Sequence, residues 1–422
     1  MFNFSQSQAS GKNSILFSII LSLFAFTFVA CDDDEITPTP NPTPINAKAA
    51  LMSALEEVVD ETEVPGFTIA IVKNGKLAVQ SSFGYADITT NRPYTNQTTQ
   101  TIGSISKTFV GTAVVKAIEE GYFTLDTDIN ELLPVELVNP KNPEATITIK
   151  HLVTHTSGLL DNDEVYDLLY RILPGENMGT EGANLMVNLM GIQQRDGISI
   201  EDLMGEYYLE DGDLYAPANF ASTIPGQAWN YSNIATTLAA YIIENATGKP
   251  YDQYVTEKIF APLGMTNTNF TTSEQAATLY FDKNTPLPLY ANDSYPDGSV
   301  HTSNEDLTRY MQDMMKGAAG NSTVLFSKAG YELLFQPLLA TGVTPPEIGA
   351  NQSIFWVRDG ASISHTGGDP GLNTLMEFSE DGQTGILLLT NMDGSTDANE
   401  AKYVEAITPI LEAVITFLQA TE

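Results

Sequence analysis

FTIAIVKNGKLAVQSSFGY, residues 67–85, reads as two strands and the turn between them. Phe67 to Val72 and Leu77 to Tyr85 carry the β-branched and aromatic residues that suit a pleated, packed surface. Asn74-Gly75 between them is the pair that tolerates positive φ at both centres of a two-residue hairpin. Upstream, residues 47–62 space their apolar side chains for an amphipathic helix, and Pro65-Gly66 ends it. The same grammar returns far downstream. Ser353 to Arg358, Ser362 to Thr366, Thr374 to Ser379 and Gly385 to Thr390 are strand-like, with turns at Asp359-Gly360 and Asp381-Gly382. A last amphipathic stretch, Ala398 to Leu418, closes the chain as a helix.

Between these ends, residues 105–340 read mostly as helices and loops. Lys107 to Glu120 and Ile234 to Ala246 are the clearest helices, stopped by Gly121 and Gly248. The expected class is α+β: an antiparallel sheet built from both chain ends, flanked by helices, with a large, mainly helical insertion. No internal repeat is present.

The first thirty residues stand apart. Lys12 precedes an apolar run, Ile15 to Ala30, shorter than the roughly 20 residues a membrane span needs and suited to the core of an export signal. Cys31 follows and is the only cysteine among the 422 residues, so no intramolecular disulfide can form. This arrangement resembles a bacterial lipoprotein processing site, and the acidic run Asp32 to Glu35 behind it resembles a lipoprotein surface-export signal. A Pro-rich stretch to Pro44 cannot build a core and serves as an extended spacer. The expected organisation is a signal peptide at 1–30, an acidic and Pro-rich linker at 31–46 and one catalytic domain at 47–422. It implies a protein of the cell envelope, lipid-anchored through Cys31 to the outer membrane or cell surface. With 53 acidic against 19 basic residues the formal charge is −34, which repels phosphate backbones and argues against nucleic acid as a partner.

Chemistry gathers at three places. Ser104-Ile105-Ser106-Lys107 lies where a helix begins, so serine and lysine three apart share one face. The helix N-terminus lends backbone N–H groups and partial positive charge. A serine hydroxyl needs a base, and a lysine serves if burial brings its pKa from about 10.4 towards 7–8. Tyr231-Ser232-Asn233 follows a Pro225-Gly226 turn and enters a helix, unlike the other Tyr-x-Asn triplets at Tyr94 and Tyr290. A phenol beside a lysine relays protons, and an amide orients a substrate. His365-Thr366-Gly367-Gly368 sits on a late strand whose backbone suits an extended substrate or an oxyanion.

The order Ser-x-x-Lys, Tyr-x-Asn, His-Thr-Gly resembles the class C β-lactamase, DD-peptidase and serine esterase superfamily. ITIKHLVTHTSGL (147–159), IFAPLGMTNTNF (259–270) and TSNEDL (302–307) resemble its framework phrases, and the likeness spans roughly residues 48–395. It implies a β-lactamase/transpeptidase-like fold with Ser104 as the acylated nucleophile, Lys107 as its base and Tyr231 as the proton shuttle. It further implies that Asn233 contacts substrate and lysine and that His365, Thr366 and Gly367 form the substrate strand. The backbone N–H groups of Ser104 and Gly368 would form the oxyanion hole.

Many relatives carry lysine where this chain has His365, and a histidine of ordinary pKa is mostly neutral at pH 7. That disfavours the carboxylate of a β-lactam and favours peptides, amides or esters. The expectation is a serine acyl hydrolase of aminopeptidase, carboxypeptidase or esterase type, without cofactor or metal. The alternatives are a β-lactamase and a non-catalytic penicillin- or glycan-binding surface protein. His151 and His155 lack the Glu of a zinc-protease helix, since Leu152 follows the first, and read as framework. Asp126-x-Asp128-x-Asn130 begins like a calcium loop but lacks its Gly and Glu. The acidic stretch 161–219 reads as loop-rich and stands where such a cleft is shaped.

Overall fold

The computed structural model describes residues 44–162, 164–343, 350–394 and 396–420. The expected signal, Cys31 and most of the linker lie outside them. Helix α1 is Pro44–Glu61, starting two residues before the expected linker ends. Strands β1 (Gly66–Lys73) and β2 (Lys76–Asp87) follow, then the two-residue β3 (Arg92–Pro93). The inserted part holds helices α2 (Ser106–Glu119), α3 (Glu181–Asn188), α4 (Ile200–Tyr208), α5 (Asn233–Thr247) and α6 (Asn304–Ala318). The chain then returns to the sheet with β4 (Asn351–Gln352), β5 (Val357–Asp359), β6 (Ser362–Asp369), β7 (Leu372–Ser379) and β8 (Gly385–Thr390). Helix α7 (Asp397–Gln419) ends it.

The eight strands run in the order β4-β5-β6-β7-β8-β1-β2-β3, with antiparallel neighbours. The first strand therefore lies beside the last. Asn74 and Gly75 have φ of 54° and 68°, the backbone that a two-residue hairpin demands. Both faces of β1 and β8 are covered. Phe67, Ile69, Ile71, Ile386 and Leu388 join a core with α1 and α7, while Ala70, Val72, Leu387 and Leu389 join the larger helical core. Period-two alternation therefore assigns each side chain to one of two cores instead of to core and solvent.

One expectation is corrected. The single strand at Ser353–Arg358 is split into β4 and β5, because Phe355 takes φ 53° and Ser353 N–H turns back to the Trp356 carbonyl. Ile354, Phe355 and Trp356 are all buried, so hydrophobicity alone gives no sign of the turn. The 161–219 stretch is loop-rich as expected, but it also holds regular elements. It carries α3 and α4, capped by the side chains of Thr180 and Ser199, and a small sheet in which Tyr170–Ile172 pairs with Gln193–Gln194 and Tyr290–Asn292.

Candidate active site

Gly103–Ile105 form one 3-10 turn that runs directly into α2. Gly103 has φ 54°, and a β-carbon there would stand 2.8 Å from Gly368 N. A β-carbon on Gly367 would meet the Ile102 carbonyl at 2.1 Å. Only glycines let the turn and strand β6 approach so closely. Thr374 fastens the approach from β7, donating to the Ile102 carbonyl at 2.8 Å. Strand β5 pairs with β6 only as far as Ser364, so the outer edge of His365–Gly368 is left to the serine turn. The N–H groups of Ser104 and Gly368 thus lie on adjoining backbones, the arrangement an oxyanion site needs.

Lys107 is fully buried in the first turn of α2. Its Nζ donates to Ser104 Oγ at 3.1 Å and to the backbone carbonyl of Asp297 at 2.8 Å. It also sits 5.1 Å from the centroid of the Tyr231 ring. Burial pushes the ammonium's pKa down, but the acidic groups around it, Tyr231, Asp297 and Asp161, outweigh burial and the net direction is up. This corrects the expected depression towards neutrality: the lysine is held charged. The Tyr231 hydroxyl is buried and meets no partner at hydrogen-bonding geometry among the described residues. Burial raises its pKa, while nearby Lys107 and Ser104 pull it back in part.

Tyr231 and Asn233 are held by groups that the sequence did not single out. Asp161 accepts from the N–H of Asn233 (2.9 Å) and of Ile234 (3.0 Å), from the Ser232 hydroxyl (3.0 Å) and from the Asn233 side-chain amide (2.7 Å). It caps α5 and takes the Nδ2 end of the Asn233 amide, while Lys107 bonds to Ser104 and the Asp297 carbonyl. Burial raises Asp161 to about 6, against the pull of the backbone donors. His155 stacks on Tyr231 with centroids 4.6 Å apart, and its Nδ1 accepts from the Ser232 N–H. His151 lies one turn back, where its Nδ1 accepts from the Thr148 N–H. The helix carrying it ends at Val153 and His155 has φ 56°, so the pair does not share a helix face. Asp128 caps a 3-10 turn through the N–H of Asn130. Among the described residues no three His, Cys, Asp or Glu side chains converge as metal ligands.

His365 is buried, and its Nδ1 donates to the Thr366 carbonyl at 2.6 Å, because a carbonyl can only accept. Burial and the charge on Lys107 lower its pKa to about 4, so the ring is neutral at pH 7. Behind Lys107, the Asp297 carboxylate accepts from Ser294 (2.5 Å), Tyr166 (3.1 Å) and Thr237 (3.3 Å), and burial raises its pKa. The other two Tyr-x-Asn triplets serve elsewhere: Tyr94 donates to Gln100, and Tyr290 donates to the Pro370 carbonyl.

A Ser-x-x-Lys at a helix start, facing Tyr-x-Asn and a His-Thr-Gly strand against an antiparallel sheet, defines the β-lactamase/transpeptidase class of fold. The Beta-lactamase family model matches residues 51–408, and the chain belongs to that family. A penicillin-binding protein of Bacillus subtilis (strain 168) is 26% identical over 384 residues, covering 84% of this chain and 74% of the relative. The octameric penicillin-binding protein homologue from Pyrococcus abyssi superposes with a TM-score of 0.64 at 24% identity, over 86% of this chain and 77% of its own. EstCE1, a hydrolase with promiscuous acyltransferase activity, superposes with a TM-score of 0.64 at 18% identity, over 88% and 99%. Both structures share the fold.

Proposed function

We propose that this protein is a serine hydrolase that transfers an acyl group from an ester, amide or peptide to Ser104 and then to water. The observation that carries the proposal is the 3.1 Å contact between buried Lys107 Nζ and Ser104 Oγ. In the first half-reaction Ser104 Oγ bonds to the substrate carbonyl carbon while its proton passes to the Lys107–Tyr231 pair. The oxyanion rests on the N–H groups of Ser104 and Gly368. The pair returns the proton to the leaving alcohol or amine as its bond to carbon breaks. In the second half-reaction water adds to the acyl ester and gives a proton to the pair. The pair reprotonates Ser104, and a carboxylic acid departs. Since Lys107 is held charged and an ammonium cannot accept a proton, the acceptor in the pair is Tyr231 in its phenolate form, and the ammonium offsets the cost of that buried negative charge.

His365 favours this reading over β-lactam turnover. A neutral imidazole offers a penicillin carboxylate no fixed positive charge, so esters and amides without a carboxylate at that position are the better substrates. We place the enzyme at the cell envelope, held through Cys31.

The test is intact-protein mass spectrometry after exposure to a fluorophosphonate, wild type beside Ser104→Ala. One adduct, lost in the variant, is expected. A folded wild type that gains none would refute the nucleophile and favour a binding protein.

A further inference from the structure

The Tyr231 hydroxyl meets no partner at hydrogen-bonding geometry among the described residues. Its direction is therefore set by what grips the phenol ring and the chain on either side of it. Both grips come from one residue. His155 accepts from the Asn230 N–H at its backbone carbonyl (2.8 Å) and from the Ser232 N–H at Nδ1 (3.2 Å). The residue before Tyr231 and the residue after it are thus tied to the same histidine. Between those two bonds the imidazole lies on the phenol ring, with centroids 4.6 Å apart and planes 33° from parallel. Lys107 Nζ stands 5.1 Å from the centroid of that phenol.

The backbone around His155 is built for this reach. Four non-glycine residues among those described have positive φ. Asn74 and Asn91 occupy turns, but His155 (56°) and Phe355 (53°) meet each other next to Tyr231, with ring centroids 5.2 Å apart. Phe355 is fastened to the same segment, donating its N–H to the Val153 carbonyl at 3.0 Å. Left-handed backbone at so bulky a residue is costly and persists where its surroundings over-determine it. Trp229 closes a third side of the imidazole, its centroid 6.0 Å away. Since Nδ1 accepts, the ring carries its proton on Nε2, which has no partner among the described residues. Burial, and then the charge on Lys107, push its pKa well below the usual histidine range, so the ring stays neutral.

We propose that His155 is a positioning residue for the proton acceptor: by clasping the chain on both sides of Tyr231 and stacking on its ring, it fixes the aim of the phenol at Ser104 and Lys107. The proposal rests on the reading of Tyr231 as the group that takes the Ser104 proton.

The experiment is a double-mutant cycle on the full chain: wild type, His155→Asn, Tyr231→Phe and the double variant. The readout is the rate of fluorophosphonate labelling of Ser104, corrected for the folded fraction by near-UV circular dichroism. Asparagine tolerates positive φ and keeps an oxygen to accept from Ser232, so the ring alone is removed. H155N should slow labelling by about tenfold or more where Tyr231 is present, and by less than about twofold beside Y231F. Equal slowing in both backgrounds, as from general loosening of the site, would overturn the positioning role, and so would no slowing in either. Labelling of wild type would still support the hydrolase in those cases, whereas its absence would overturn both. A second measurement needs no variant: nitrogen NMR of the four histidines in wild type. At pH 7 His155 should be neutral with its proton on Nε2. A proton on Nδ1 would break the bond to Ser232 and overturn the clasp.

Discussion

Lys107 is charged because of what surrounds it. A lysine buried alone would lose its proton, but here the acidic groups of Asp297, Asp161 and Tyr231 stand close enough to reverse that direction. A charged amine cannot accept the Ser104 proton, so that burden falls on Tyr231 as phenolate, and Tyr231→Phe tests this. Removal of one hydroxyl should reduce fluorophosphonate labelling of Ser104 by about 10²–10⁴. The unfolding midpoint should hold, because the Tyr231 hydroxyl meets no partner at hydrogen-bonding geometry among the described residues. Labelling at the wild-type rate would make Lys107, and not Tyr231, the base and end the phenolate account. Ser104, Lys107 and Tyr231 were legible in the sequence because their order and their places at helix starts are themselves the signal. Asp297 was not, since it meets Lys107 through a backbone carbonyl that any residue could present. Asp161 was hidden for a related reason. An aspartate in a loop is ordinary until the fold closes around it.

Helix α5 begins at the site, and its beginning depends on a residue 72 positions earlier in the chain. Asp161 supplies a cap from outside the helix, so Asp161→Ala should cost at least the 1–2 kcal/mol, roughly, of a lost cap, measured in urea. Ser104 labelling should slow about tenfold or more as the Tyr231 loop loosens. Equal labelling with lower stability would reduce Asp161 to a purely structural role. Strand β7 provides a pH prediction. Glu377 is buried, accepts from the Ser362 hydroxyl at 2.6 Å and is pushed by burial to about 7. Its folded pKa lies above the unfolded value of about 4.3, so its protonated form stabilises the fold at low pH and that contribution disappears as pH rises to 7. The stability of Glu377→Gln relative to wild type should therefore grow between pH 4.5 and 7.5, by on the order of 3 kcal/mol. A difference flat with pH would mean Glu377 titrates normally. At this scale the hairpin was legible because Asn74-Gly75 is a local device. The Phe355 turn was not, because three consecutive buried residues look alike whether the backbone runs straight or folds back.

The molecule as a whole carries a formal charge of −34, which repels polyanions, anionic membrane surfaces included. The envelope attachment we propose through Cys31 therefore rests on lipid and not on charge. Cys31→Ala expressed from the full chain should move from the membrane fraction to the soluble fraction and lose its lipid mass. Retention of both would refute the anchor. The two-core architecture was legible to the extent that both chain ends read as strands. That they are neighbours follows from pairing that no local signal encodes.

That neighbourhood sets a timetable. Phe67 pairs with Thr390, and Val72 with Gly385, across more than three hundred intervening residues. Such distant closure is slow, because chain entropy is spent before any contact rewards it. During synthesis, β1 and β2 must wait as an unaccompanied hairpin with one edge open. Gly367 and Gly368, which back the serine turn, emerge only shortly before β8. The nucleophile is thus made early and its pocket late, so a nascent chain can carry Ser104 for most of its synthesis without the wall that would let it react.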